Sequence, residues 1–158
     1  MSQPRLTYDA FAKIAPAAQQ SLIAMGRQAD ESGIDKQIVE LVKLRVSQLN
    51  NCAFCLQIHL NVSRKLGLPQ EKLDLVATWE EAGIFSEREC AALAWAETLT
   101  RLVGHSVPDA AYEAVRRHFS EEEVTFLSVS IATINAWNRL GAAFRFSPPI
   151  LKAIRPPT

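Results

Sequence analysis

Asn50-Asn51-Cys52-Ala53-Phe54-Cys55-Leu56-Gln57-Ile58-His59 holds two cysteines three residues apart and a histidine four beyond the second. Read as an α-helix, those steps put Cys52, Cys55 and His59 on one face. A base then stands one turn from one thiol, and the second thiol stands one turn the other way. Asn50-Asn51 offers a turn and a candidate N-cap. Both cysteines would then lie in the first helical turn, where the helix dipole favours a thiolate.

The segments on either side keep the helical period. Upstream, Asp35 can cap a helix in which Ile38, Leu41, Val42, Val46 and Leu49 recur at three- and four-residue steps. Glu40 lies on that helix. The cysteine helix runs to about Lys65 and stops at Gly67. Nearer the N-terminus a short helical piece spans about Tyr8 to Ile14. Pro16 suits the first position of the next helix, which Asp30-Glu31-Ser32-Gly33 ends.

Downstream, Pro69 opens a short helix that reaches about Trp79. Ser86-Glu87-Arg88-Glu89 is a capping box at the head of a helix over Cys90–Val103, which Gly104 ends. Pro108 starts another helix, to about His118. Ser120-Glu121-Glu122-Glu123 is a second capping box. It opens the longest apolar helix, with Val124, Leu127, Ile131, Ile134, Trp137 and Leu140 in step. Residues from Phe146 onward hold four prolines and form a docked or loose tail. No useful length alternates with period two. The expected fold is all-α, a single-domain bundle over 1–158 with about seven helices. Its core covers about 35–145, its N-terminal helices 8–32 and its Pro-rich tail 146–158.

The bulk composition narrows the function. The chain has 158 residues, 48% apolar and 22% charged, ordinary for a soluble globular protein. Formal net charge is zero and no basic stripe is present, which argues against nucleic acid as a partner. No apolar run approaches the roughly 20 residues of a membrane span. The start lacks the apolar core of a secretory signal. Three cysteines, an odd count, argue against a secreted disulfide framework. A cytoplasmic location is expected, with the cysteine pair used for redox or metal chemistry. There is no G-x-G-x-x-G and no P-loop, so no nucleotide or other cofactor is expected.

Glu40 extends the constellation. If its helix and the cysteine helix form an antiparallel hairpin about residues 50–51, Glu40 comes within one turn of the level of His59. A carboxylate there orients the imidazole as the third member of a thiol–base–acid series. A thiol attacks as thiolate, and its pKa of about 8.5 falls beside a histidine or at a helix N-terminus. Cys55, one turn from His59, is favoured for attack on an electrophile, and attack on a peroxide oxygen would give a sulfenic acid. Cys52 can then condense with it to a disulfide. The opposite order, with the first cysteine leading as in thioredoxin-like pairs, stays open.

Blander readings stand beside these. A structural zinc site takes four ligands as a rule, and this run supplies three, with no second cluster. Cys90 has no partner in the sequence and reads as core. His105 reads as a turn residue and His118 as a charge near a helix C-terminus. Trp95 and Trp137 read as packing residues. Asn135, Asn138 and Arg139 lie in an apolar helix and must find partners, in a structural network or subunit contact before a substrate.

Glu40-x11-Cys52-x2-Cys55-x3-His59 resembles the signature of the AhpD-like alkylhydroperoxidases, within the carboxymuconolactone decarboxylase superfamily. The runs Phe85–Glu89, Ala91–Glu97 and Asn135–Arg139 are similar to family segments as well, and the likeness spans most of 35–145. The resemblance implies an all-helical fold assembled as a trimer or hexamer. It implies an oxidoreductase in which Cys55 is the peroxidatic thiol, Cys52 the resolving thiol, His59 the base and Glu40 the far end of a proton relay. The substrate would be a small peroxide and the reductant a dithiol, in the best-known relatives a lipoyl protein. Some members carry a histidine between the cysteines where this chain has Phe54. The decarboxylase branch lacks the cysteine pair, which disfavours that activity. The alternatives are a disulfide-exchange or redox-regulated protein without turnover, or a carbon-acid reaction with His59 as base.

Overall fold

The computed structural model describes residues 3–150. Among the described residues there are nine α-helices and no strand. They are α1 (Tyr8–Ile14), α2 (Pro16–Glu31), α3 (Lys36–Leu49), α4 (Ala53–Lys65), α5 (Gln70–Leu75), α6 (Trp79–Ala82), α7 (Glu87–Thr100), α8 (Asp109–Arg116) and α9 (Glu121–Phe144). A 3₁₀ turn over Val76–Thr78 joins α5 to α6.

Local chemistry sets most helix starts. Asp35 Oδ1 accepts from the Gln37 amide at 2.8 Å and begins α3. Ser86 and Ser120 each close a reciprocal capping box with the glutamate three residues on, heading α7 and α9. Pro16 occupies the first turn of α2, where its missing N–H costs nothing.

Two expected boundaries move. The single short helix anticipated from Pro69 to Trp79 is broken into α5, the 3₁₀ turn and α6. Val76 is fully buried beside Leu41 and Leu44 of α3, so the chain tightens there to drive it inward. The cysteine helix begins one residue after Cys52, and Cys52 rather than an asparagine is its N-cap, with Sγ accepting from the Cys55 amide at 3.3 Å. Asn51 takes a left-handed conformation (φ 53°), and Asn50 caps the end of α3.

α3 is the central element. One side packs Ile38, Val42 and Val46 against Ala92 and Ala96 of α7 and Ile131 of α9. Its other side packs Leu41 and Leu44 against Leu73, Val76 and Leu93. Each such side chain contributes about 1.5–3 kcal/mol on leaving water. The apolar residues of 91–96 and 124–144 go largely into this core: Leu93, Ala96 and Leu127 are fully buried. Cys90, expected in the core, is half-buried.

At the far end of α9, Arg145 turns left-handed (φ 54°) and sends Phe146 back into the fold, where it is buried. The Arg5 and Leu6 amides donate to the Phe144 carbonyl at 2.9 and 3.2 Å, tying the N-terminal segment to that helix end. The anticipated tail beyond Ile150 lies outside the described residues. Among those described, no helix is long and apolar enough to cross a membrane.

Candidate active site

The α3–α4 hairpin brings the four candidate residues together. Cys52 and Cys55 are joined as a disulfide, with Cα atoms 5.4 Å apart. Both are nearly buried. Four residues on, His59 Nδ1 donates to Glu40 Oε2 at 2.8 Å, across the hairpin. The other oxygen, Oε1, accepts from Lys43 Nζ at 2.9 Å, and Lys43 also reaches Asp30 Oδ1 of α2 at 3.4 Å.

Glu40 is 4% exposed. Burial alone would raise its carboxyl pKa, but the hydrogen bond and charge of His59, joined by Lys43, hold it below the ordinary carboxylate value. Glu40 is therefore a carboxylate and accepts from both partners. With Nδ1–H committed to Glu40, the neutral imidazole carries its lone pair on Nε2.

His59 and Cys55 open onto a cavity of about 320 Å³. Its walls come from helices far apart in sequence: Tyr8 of α1, Arg27 of α2, and Ser130 and Trp137 of α9. The Ser130 hydroxyl is fully buried and has no hydrogen-bond partner. Phe54, between the cysteines, packs on Tyr8 (ring centroids 5.5 Å) and Phe146 (5.2 Å). Tyr8 in turn lies 6.1 Å from Trp137. Trp137, read from the sequence as core packing, is half-buried and lines this cavity.

The asparagines of α9 form a structural network. Asn50 Nδ2 donates to the side-chain oxygens of Asn135 and Asn138, both at 2.9 Å. Asn138 Nδ2 donates to Ser47 Oγ at 3.2 Å, and Arg139 donates to the Asn135 carbonyl at 2.9 Å. These bonds anchor the turn before Cys52 to α9. About one turn further along α9, Gly141 completes the approach: a Cβ there would stand 2.8 Å from Cys52 Sγ and 3.4 Å from Cys55 Sγ.

Sequence reasoning missed Lys43, Tyr8, Ser130 and Gly141. Lys43 sits three residues after Glu40, a pairing distance on a helix that was legible. Gly141, inside an apolar helix, carried the signal of a close packing contact. Tyr8 and Ser130 reach the cavity through tertiary packing and carried no local signal. Among the described residues, no group of three or more His, Cys, Asp or Glu side chains is placed to hold a metal ion.

Comparison with known proteins gives a consistent family. Residues 16–98 match the model of the carboxymuconolactone decarboxylase family. YdfG of Bacillus subtilis, an uncharacterized protein, is 36% identical over 133 residues, which is 84% of this chain and 90% of YdfG. A crystal structure from Agrobacterium tumefaciens, of a protein of unknown function suggested to be the antioxidant defence protein AhpD, superposes with a TM-score of 0.88 at 36% identity. It covers 94% of this chain and 100% of its own. An uncharacterized peroxidase-related protein from Silicibacter sp. TM1040 superposes with a TM-score of 0.72 at 25% identity, over 82% of this chain and 69% of its own.

Proposed function

The chain belongs to the AhpD-like branch of the carboxymuconolactone decarboxylase family, and from that premise we propose that it reduces hydroperoxides through the Cys52–Cys55 pair. The observation that carries this reading is one cavity shared by Cys55 and an imidazole that a buried carboxylate orients.

In the reduced protein, His59 Nε2 takes the proton of the Cys55 thiol. The thiolate attacks one peroxide oxygen, the O–O bond breaks, and the proton leaves with the alcohol. Cys55 is now a sulfenic acid. Cys52 attacks the Cys55 sulfur, water departs, and the disulfide closes. A dithiol then returns two electrons and two protons. Glu40 holds His59 in the productive tautomer and stabilises the imidazolium while it carries the proton. The aromatic walls and the recessed sulfur favour an organic peroxide over a small hydrated one. Assembly into a homo-oligomer, trimer or hexamer, is part of the same reading.

Thiols are titrated before and after one equivalent of tert-butyl hydroperoxide, and turnover is then followed with dihydrolipoamide. Two thiols should vanish per chain and return with the dithiol. Cys55→Ser should abolish turnover, and Cys52→Ser should leave a sulfenic acid that cannot close. Thiols that survive peroxide untouched would sink the peroxidase reading and turn attention to carbon-acid chemistry at His59.

A further inference from the structure

We propose that a second cavity, in front of Cys52, is the docking site of the dithiol that reopens the disulfide, so that oxidant and reductant reach the two sulfurs from opposite sides of Phe54. The proposal rests on the reading of Cys52 and Cys55 as a working redox pair.

The two sulfurs do not share an opening. Cys55 lines the first cavity and Cys52 does not. Cys52 lines a separate cavity of about 380 Å³ and Cys55 does not. Phe54 lines both and is the wall between them. Its ring packs against both Tyr8 and Phe146, which also lie 5.6 Å from each other, so the partition is built from a cluster of packed aromatics rather than from a mobile loop.

The second cavity suits a thiolate nucleophile. Arg145 is the one charged residue among those lining it, whereas the first cavity is lined by Arg27, Asp30, Lys43 and His59. An exposed guanidinium there attracts an incoming thiolate and favours its ionisation. Gly141 also lines this cavity, and any side chain at 141 would occupy the space over Cys52 Sγ. Cys52 is only 2% exposed, so the sulfur is recessed. A sulfur so recessed suits a dithiol that is small, or borne at the tip of a slender arm, better than a cysteine pair on the surface of a folded protein.

The chemistry follows from the geometry. One thiolate of the dithiol attacks Cys52 Sγ, the Cys52–Cys55 bond breaks, and its electron pair leaves on Cys55. Cys55 thereby emerges as a thiolate in the first cavity, on the His59 side. The second thiol of the donor loses its proton and attacks its own neighbour in the mixed disulfide. Cys52 is released as a thiolate at the start of α4, where the Cys55 amide already points at its sulfur (3.3 Å). The donor is oxidised by two electrons to a cyclic disulfide, and the protein pair takes up both electrons and both protons.

The test begins with protein oxidised by diamide, so that it does not depend on peroxide. Ala142→Trp, at the exposed rim of the second cavity, should slow reduction by dihydrolipoamide at least tenfold, and Ile23→Trp, at the rim of the first, far less. Arg145→Glu, a surface change that leaves packing alone, should slow it severalfold. Oxidised protein is also mixed with glutathione and quenched with iodoacetamide. Peptide masses should put glutathione on Cys52 and the alkyl group on Cys55. Glutathione on Cys55, equal slowing by Ile23→Trp and Ala142→Trp, no effect of either second-cavity variant, or faster reduction by reduced thioredoxin than by dihydrolipoamide would each overturn the proposal. Failure of peroxide to oxidise the pair would instead overturn the peroxidase reading and leave these results intact.

Discussion

Glu40 and Glu97 are two buried carboxylates on neighbouring helices, and their partners differ. Glu97, on α7, accepts from Arg45 at 2.6 Å, from Trp79 Nε1 at 3.0 Å and from Arg101 at 2.8 Å. Burial would raise it, but the Trp79 and Arg45 hydrogen bonds and the charges of Arg45 and Arg101 hold its pKa low. Glu40 has one permanent cation, Lys43, and gives its other oxygen to His59. Every donor around Glu97 keeps its proton at all working pH values, so that cluster fixes α3 to α7 and can do nothing else. One donor around Glu40, the His59 imidazole, instead faces the cavity that Cys55 also lines. Burial and a depressed pKa are common to both, so neither distinguishes a lock from a relay. The titratable partner facing a cavity does.

The sharpest break in that comparison is Glu97→Ala. It strands Arg45 and the Trp79 N–H, and should cost about 3 kcal/mol of stability in urea unfolding. Turnover of the folded fraction should stay within twofold of the parent. Loss of turnover without loss of stability would make Glu97 part of the chemistry and erase the distinction.

Glu40→Gln should give the converse result. Peroxide turnover with dihydrolipoamide should fall about 100-fold, some 2.7 kcal/mol in barrier. The amide is isosteric, so stability should fall by only about 1 kcal/mol. A stability loss as large as that of Glu97→Ala, with turnover intact, would make Glu40 a second lock.

Acid sensitivity should follow both carboxylates. Each titrates below the ordinary value of 4.5 when folded. Each therefore contributes stability that is fully present above that value and is lost as the pH falls through the lower, folded one. Unfolding free energies from urea titrations taken from pH 7 down to pH 3 should decline less steeply in Glu40→Gln than in the parent, by up to about 1.4 kcal/mol per pH unit. Parallel declines would mean that Glu40 is not held ionised.

The smallest effect is expected at Ser130. Its hydroxyl has no partner, so Ser130→Ala should change stability by less than about 0.5 kcal/mol. A loss several times larger, read by thermal unfolding, would mean that the hydroxyl does have a partner within the fold.

Most of the fold could be read locally because its start signals are local. A capping serine with its glutamate three residues later, an aspartate before an apolar stripe and a proline at a first turn act within one helical turn. The break between α5 and α6 could not, since no glycine or proline marks it and the burial of Val76 against α3 decides it. The Glu40–His59 contact followed from hairpin arithmetic about a short turn. The N-cap did not: Asn50 is drawn to Asn135 and Asn138, some 85 residues away, which leaves Cys52 to begin the helix. The walls of the first cavity come from α1, α2 and α9 as well as α4, those of the second from α4, α9 and the segment after it, and only packing brings them together.

The asparagine anchor has a kinetic consequence. By fixing the turn before Cys52 to α9, it keeps the two sulfurs in each other's reach, at an effective concentration that no solute oxidant attains. A sulfenic acid formed on one would be captured by the other ahead of a second oxidising molecule. If the pair works as proposed, the anchor would thus guard the chain against the irreversible sulfinic state.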